Sequence, residues 1–183
     1  ADYTERVESF AKRVLELGIE VVGHGEAYRR LSEKGYPIQP LFSSGEPKAD
    51  IKGNIPDCAT DPYFYILFRM KTELQESTPL FDMIFADFPK LGRVGSPSTF
   101  SPVAEEETVP SCVTLLRNVA KDFRNIATIV DESDFDWVVS SLAECGDIPL
   151  QGRRQLSLKV FSEILKFDTQ TYNAFSLLFA DES

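Results

Sequence analysis

Between Val113 and Phe135 the hydrophobic period of the chain changes twice, and that change restricts the fold class more than any other feature. Val113, Leu116, Val119, Ala120 and Phe123 fall near helical spacing, which gives one apolar helix face. Asn125 follows, and then an unbroken apolar run, Ile126 to Val130, that suits a buried strand. Ser133, with Asp136 three residues on and ahead of Phe135, Val138, Val139 and Leu142, predicts a capping box opening a further amphipathic helix.

A second alternation lies near the N-terminus. Asp2 and Glu5 are placed to cap a first helix with a buried stripe of Val7, Phe10, Ala11 and Val14, ended by Gly18. Ile19 to Val22 predicts a short buried strand, Gly23-His24-Gly25 a turn, Glu26 to Lys34 a second helix stopped by Gly35, and Pro37 to Leu41 a strand. Strand, helix and strand in that order are the pattern of a parallel sheet with crossover helices, so the fold class is α/β. Residues 42–62 and 87–107, rich in Ser, Pro and Gly, predict long loops. Tyr63 to Leu74 reads as helix and Phe81 to Ala86 as a buried strand. The tail, Leu156 to Phe179, is helical, and Leu158, Phe161, Ile164, Leu165, Tyr172, Phe175, Leu178 and Phe179 leave so few polar faces that burial is expected.

Bulk properties narrow the function. The 183 residues suit one domain, with 43% hydrophobic content and a formal net charge of −10. No Lys/Arg stripe offsets the acid excess, which argues against a nucleic-acid partner. No apolar run approaches the roughly 18 residues of a membrane span, and the chain does not open as a signal peptide does. Cys58, Cys112 and Cys145 are far apart, and His24 is the only histidine, so no metal-ligand spacing exists. Reduced structural thiols in a cytoplasmic protein, without cofactor or metal, are the expectation.

Six segments, Gly23 to Leu31 at the family's SxGGTAxxL turn among them, resemble in family order the IMP cyclohydrolase domain of the bifunctional enzymes that end purine synthesis. The stretch from Val113 to Phe135 is similar to LRAAAKN-x-VAVVVDPADY. Asp2-Tyr3-Thr4 with Val7-Glu8 and Phe10-Ala11 looks like SDKTGxVEFA, and Gly18 to Val22 like GVELV. Phe81 to Pro89 resembles DLVVVNLYP, and Lys166 to Phe175 resembles AYDTAIANYF. The resemblance implies a three-layer, doubly wound, mostly parallel sheet of the methylglyoxal-synthase-like type. It also implies a homodimer, and one such domain over residues 1–183 with no transformylase domain. The family's first strand lies just before the SDKT turn, where this chain begins; either upstream residues supply it or the sheet lacks it.

The same resemblance implies the chemistry: a ring carboxamide nitrogen attacks a formamide carbon of a phosphoribosyl imidazole-carboxamide nucleotide (FAICAR), and loss of water gives IMP. That needs an anchored phosphate, an oxyanion stabiliser and proton transfer. Gly23, His24 and Gly25 stand where the family has its phosphate turn, and backbone N–H groups at a helix start suit an anion. Glu26 and Ala27 replace a glycine and a threonine there. Lys121 falls on a family catalytic position and Arg117 on the family arginine one turn earlier; a solvated helix edge is the plain alternative for both. Ala86 replaces an asparagine and Phe88 a tyrosine, and Phe88 can neither donate a proton nor hydrogen-bond. Val109 stands at the aspartate of DIGGP, and no counterpart of RVKTLHP occurs among residues 50–60, where Lys52 is nearest. Cys112 and Ser111 lack a paired base in sequence, and Tyr63, Phe64 and Tyr65 suit either a base-binding cleft or core. Three readings follow: an IMP cyclohydrolase with a rebuilt site; a catalytically degenerate relative (a pseudoenzyme) that binds a phosphorylated metabolite or a partner protein; and a lyase using Asp87 or Asp131, both of which follow predicted strands.

Overall fold

A computed structural model describes residues 4–40, 81–86 and 111–181. Helix α1 (Glu5–Glu16) starts at Thr4, whose hydroxyl accepts the Val7 N–H, so Thr4 is the cap rather than the Asp2 expected from sequence. Its buried residues are Val7, Phe10, Ala11 and Val14, as the spacing predicts. Gly18, at φ 76°, closes the helix: its own N–H reaches the Leu15 carbonyl and the Ile19 N–H reaches Val14.

Strand β1 (Val22–Gly23), helix α2 (Gly25–Glu33) and strand β2 (Gln39–Pro40) form the predicted strand–helix–strand unit, with β1 and β2 parallel. β1 is shorter than expected and lies towards the surface: Val22 is 39% exposed, while Ile19 and Val21 are partly buried against the core. The other strand pair is β3 (Met83–Phe85) and β4 (Ala127–Ile129), also parallel, with Met83 opposite Ala127 and Phe85 opposite Ile129. Among the described residues each sheet has two strands, so β1 and β3 are each paired along one edge. The expected helix over Tyr63 to Leu74 and the two long loops lie outside the described residues.

Helix α3 (Ser111–Lys121) leads into β4, and α4 (Phe135–Cys145) and α5 (Leu150–Asp181) complete the chain. Side chains of β4 alternate between faces. Ala127 and Ile129 join Val7, Phe10 and Val14 of α1 and Phe135 and Val138 of α4 in one apolar cluster. Ile126 packs with Leu115 and Val119 of α3, and Val130 packs with Leu116 of α3 and Val160 and Ile164 of α5. Helices therefore cover both faces of this strand pair, which is why Ile126 to Val130 read as a continuous apolar run. Phe135 locks the first cluster, stacked on Phe10 at 4.1 Å and edge-on to Phe85 at 4.9 Å.

Two expectations are corrected. The cap ahead of α4 is Asp131, not Ser133. Its carboxylate accepts the Ser133 N–H at 2.8 Å and opens a short 3-10 turn, Glu132–Asp134, that runs into α4. The tail is a single 32-residue helix, and much of its apolar surface faces solvent. Its buried stripe is Leu156, Val160, Ile164 and Phe167, whereas Leu158, Leu165 and Tyr172 are about 70% exposed (70%, 68% and 72%).

Candidate functional site

The glycine turn sits between β1 and α2. A Cβ on Gly23 would lie 3.1 Å from Tyr28 Cβ and 3.5 Å from Ile38 Cγ2, so close packing of strand on helix favours glycine there. Gly25 needs glycine for a different reason. Space around it is open, but its φ is +67°, a conformation that costs an L-residue roughly 1–2 kcal/mol. Between them His24 is exposed and extended, and it is the N-cap residue of α2, though its side chain makes no capping hydrogen bond. The first N–H groups of an α-helix have no intrahelical acceptor, so this turn presents donors outward. Glu26, which would oppose an anion here, is drawn along the helix: its carboxylate lies 3.7 Å from Arg29 Nη2 and 3.4 Å from Arg30 Nε.

Arg117 and Lys121 sit one helical turn apart on α3, both exposed, while Leu116, Val119 and Ala120 between them point into the core. The Arg117 guanidinium donates to Asp168 of α5 at 2.8 Å. Lys121 is the last residue of α3, where its charge complements the helix dipole, and no ion pair to it occurs among the described residues.

The five predicted residues thus fall into two groups. β1 packs chiefly on β2 and α2, and α3 packs chiefly on α5 and β4. No bond among the described residues joins the glycine turn to Arg117 or Lys121. A cavity of about 360 Å³ opens between α1 and α4, lined by Arg6, Ser9, Phe10, Arg13, Phe135 and Asp136, and includes none of the five. Its arginines are already engaged, Arg13 with Asp136 at 2.6 Å and Arg6 with Glu132 at 3.7 Å. Among the described residues no cluster of His, Cys, Asp and Glu could hold a metal. Nor is any described helix long and apolar enough to cross a membrane. Ser111 and Cys112 open α3; Phe88, Asp87, Val109 and Lys52 lie outside the described residues.

One charged cluster was not legible in the sequence. Lys159 of α5 reaches Asp134 at 2.8 Å, Asp131 at 3.0 Å and Ser133 Oγ at 3.0 Å. The Ser133 N–H, helped by Lys159 and opposed by partial desolvation, holds the Asp131 carboxyl down at about 2. Desolvation works against the Lys159 ammonium, but its bonds to Asp134 and Asp131 outweigh this and raise its pKa. A carboxylate so acidic is a poor proton acceptor at neutral pH, which weighs against Asp131 as the base of a lyase. Sequence offered no signal because Lys159 lies far along the chain from the two aspartates it joins.

Known proteins share this pattern. Residues 119–182 match the AICARFT/IMPCHase bienzyme family. The bifunctional purine biosynthesis protein PurH of Aquifex aeolicus is 28% identical over 96% of this chain and 36% of its own length. That of Chloroflexus aurantiacus is 28% identical over 91% of the chain and 34% of its own, and that of Anoxybacillus flavithermus 24% identical over 88% and 33%. The chain spans about a third of the length of these relatives. In three dimensions it is similar to the crystal structure of ForH, with a TM-score of 0.67, 20% identity, and coverage of 95% of this chain and 93% of that one. The order of elements and the helix–strand stretch around Lys121 agree with these relationships, which support an IMP cyclohydrolase-like domain similar to about a third of PurH.

Proposed function

We propose that this domain binds the phosphoribosyl imidazole-carboxamide nucleotide FAICAR and closes it to IMP. The observation that carries this reading is the similarity to PurH over nearly the whole chain. The N–H groups around Gly23, His24 and Gly25 anchor the phosphate, with Arg117 as a second anionic contact. The carboxamide nitrogen attacks the formyl carbon and gives up one proton, and the formamide nitrogen gives up a second as the C=N bond forms. Both leave with the oxygen as water, the Lys121 ammonium stabilising that oxygen as it gains charge and relaying a proton to it. Residues 1–183 act as one such domain, without metal or cofactor. Its sheet is three-layered and doubly wound in the methylglyoxal-synthase-like manner, and the protein works as a cytoplasmic homodimer.

A second reading has an observation in its favour. Asp168 occupies Arg117, and Ala86, buried at the end of β3, cannot replace the family asparagine. A domain that binds a phosphorylated metabolite or partner protein without turnover, in a regulatory or scaffold role, is consistent with both. Purified protein given FAICAR, with IMP followed by absorbance, separates the two. The first reading expects product from the parent and a loss on the order of 100-fold in Lys121→Ala, the size of one proton-transfer contribution. Stabilisation of the fold by FAICAR with no product above the uncatalysed rate supports the second. Product that Lys121→Ala leaves unchanged removes Lys121 from the mechanism.

A further inference from the structure

Lys121, Arg124 and Arg154 have no acid partner among the described residues, and they gather where α3 ends beside the start of α5. Every other described lysine and arginine has a carboxylate in ion-pair range. The ring of Phe123, in the turn after α3, draws two of the three together. The guanidiniums of Arg124 and Arg154 each lie over it, 6.0 Å from its centroid. Lys121, the last residue of α3, precedes Arg124 by three residues. All three cations are exposed.

Like charges sharing one ring without a counter-charge repel each other, and this happens on a chain whose net charge is −10. The carboxylates nearest in sequence are committed elsewhere: Asp122 accepts from Asn125 Nδ2 at 2.8 Å, and Asp147 pairs with Arg153 at 3.3 Å. At 6.0 Å the ring sits at the outer limit of cation–π attraction, so it positions the guanidiniums and does not neutralise them. The missing counter-charge is therefore that of a ligand. Guanidinium forks match the oxygens of a phosphate. A single phosphate monoester brings a charge of about −1.5 to −2 and leaves one cation over, whereas a diphosphate brings enough for all three. The acid excess of the whole chain repels a long polyanion such as nucleic acid, which favours a small ligand.

We propose that Arg124 and Arg154, sharing the Phe123 ring, and Lys121 beside them bind a small molecule that carries a diphosphate group. The inference stands on the arginine pair and is independent of the cyclohydrolase reading. Calorimetric titration of the 183-residue chain with inorganic pyrophosphate tests it, with orthophosphate and citrate for comparison. Pyrophosphate should bind more tightly than either, and less tightly as salt is raised. Arg124→Gln and Arg154→Gln should each weaken that binding roughly 10-fold, the size of one charge-assisted contact. Neither substitution should lower the melting temperature of the ligand-free chain, because both side chains are exposed and each loss relieves repulsion. A chain that neither binds pyrophosphate nor is stabilised by it overturns the proposal. Binding that survives both substitutions belongs to the glycine turn or to another place; it overturns the proposal and leaves the cyclohydrolase reading standing. Citrate bound as tightly as pyrophosphate overturns the assignment to a diphosphate.

Discussion

At the scale of single residues, a few polar groups fix how this domain answers pH and mutation. Asp131 ties the end of β4 to α5 through Lys159 while capping the turn into α4. Its pKa falls from 3.8 to about 2 on folding, so the stability it contributes is complete above roughly pH 4 and is lost as pH drops through 2. The side chain is 45% exposed, and solvent screening reduces the contribution to about 1 kcal/mol. Asp131→Asn keeps an acceptor for the Ser133 N–H and removes the charge. Urea unfolding should find it about 1 kcal/mol less stable than the parent at pH 7, with the gap closing near pH 2. A gap that persists there would mean the loss is not electrostatic. Lys159 has a raised pKa because its aspartate partners are ionised, so its share holds from above their titration through neutrality and fades above its ordinary value of 10.5. Thr128 makes the opposite case. It is 2% exposed in the middle of β4, and its hydroxyl has no partner among the described residues. Thr128→Val replaces that hydroxyl with a methyl of similar volume and should raise stability by about 1 kcal/mol, read as a higher urea midpoint at unchanged slope.

At the scale of elements, α5 works on two faces. Inward, Ser157 donates to the Ala120 carbonyl at 2.6 Å, entirely within the core. Ala120 lies in the last turn of α3, where carbonyls run out of intrahelical donors, so the serine finishes one helix from the side of another. Ser157→Ala should cost about 1–2 kcal/mol in thermal or urea unfolding, since it strands a buried acceptor. An unchanged melting temperature would show that another donor has replaced it. Outward, the same helix exposes Leu158, Leu165 and Tyr172. Two apolar stripes on one helix have the hydropathy of a fully buried one, which is why burial was expected along its whole length although only the stripe Leu156, Val160, Ile164 and Phe167 is buried. The α1 and α2 ends were easier to read, because Gly18 and Gly35 stop their helices by local backbone geometry that requires no distant partner.

At the scale of the whole molecule, the sequence by itself determined the elements and their order. Period 3.6 in α1 and α3, the apolar run of β4 and the glycine stops are local properties, and they place the α/β class and the parallel β1–α2–β2 unit. The resemblance to the cyclohydrolase family also marked Gly23, His24, Gly25, Arg117 and Lys121 as candidates. Tertiary structure decided what those candidates do with their neighbours. It packs Gly23 on Tyr28 and Ile38 and pairs Arg117 with Asp168 from a helix far along the chain. It also makes Asp131 a cap and an ion-pair partner of Lys159, and turns one face of α5 to solvent. Hydropathy records whether a side chain prefers to leave water, whereas which surface receives it, and which charge meets which, depends on contacts between residues that sequence spacing does not encode.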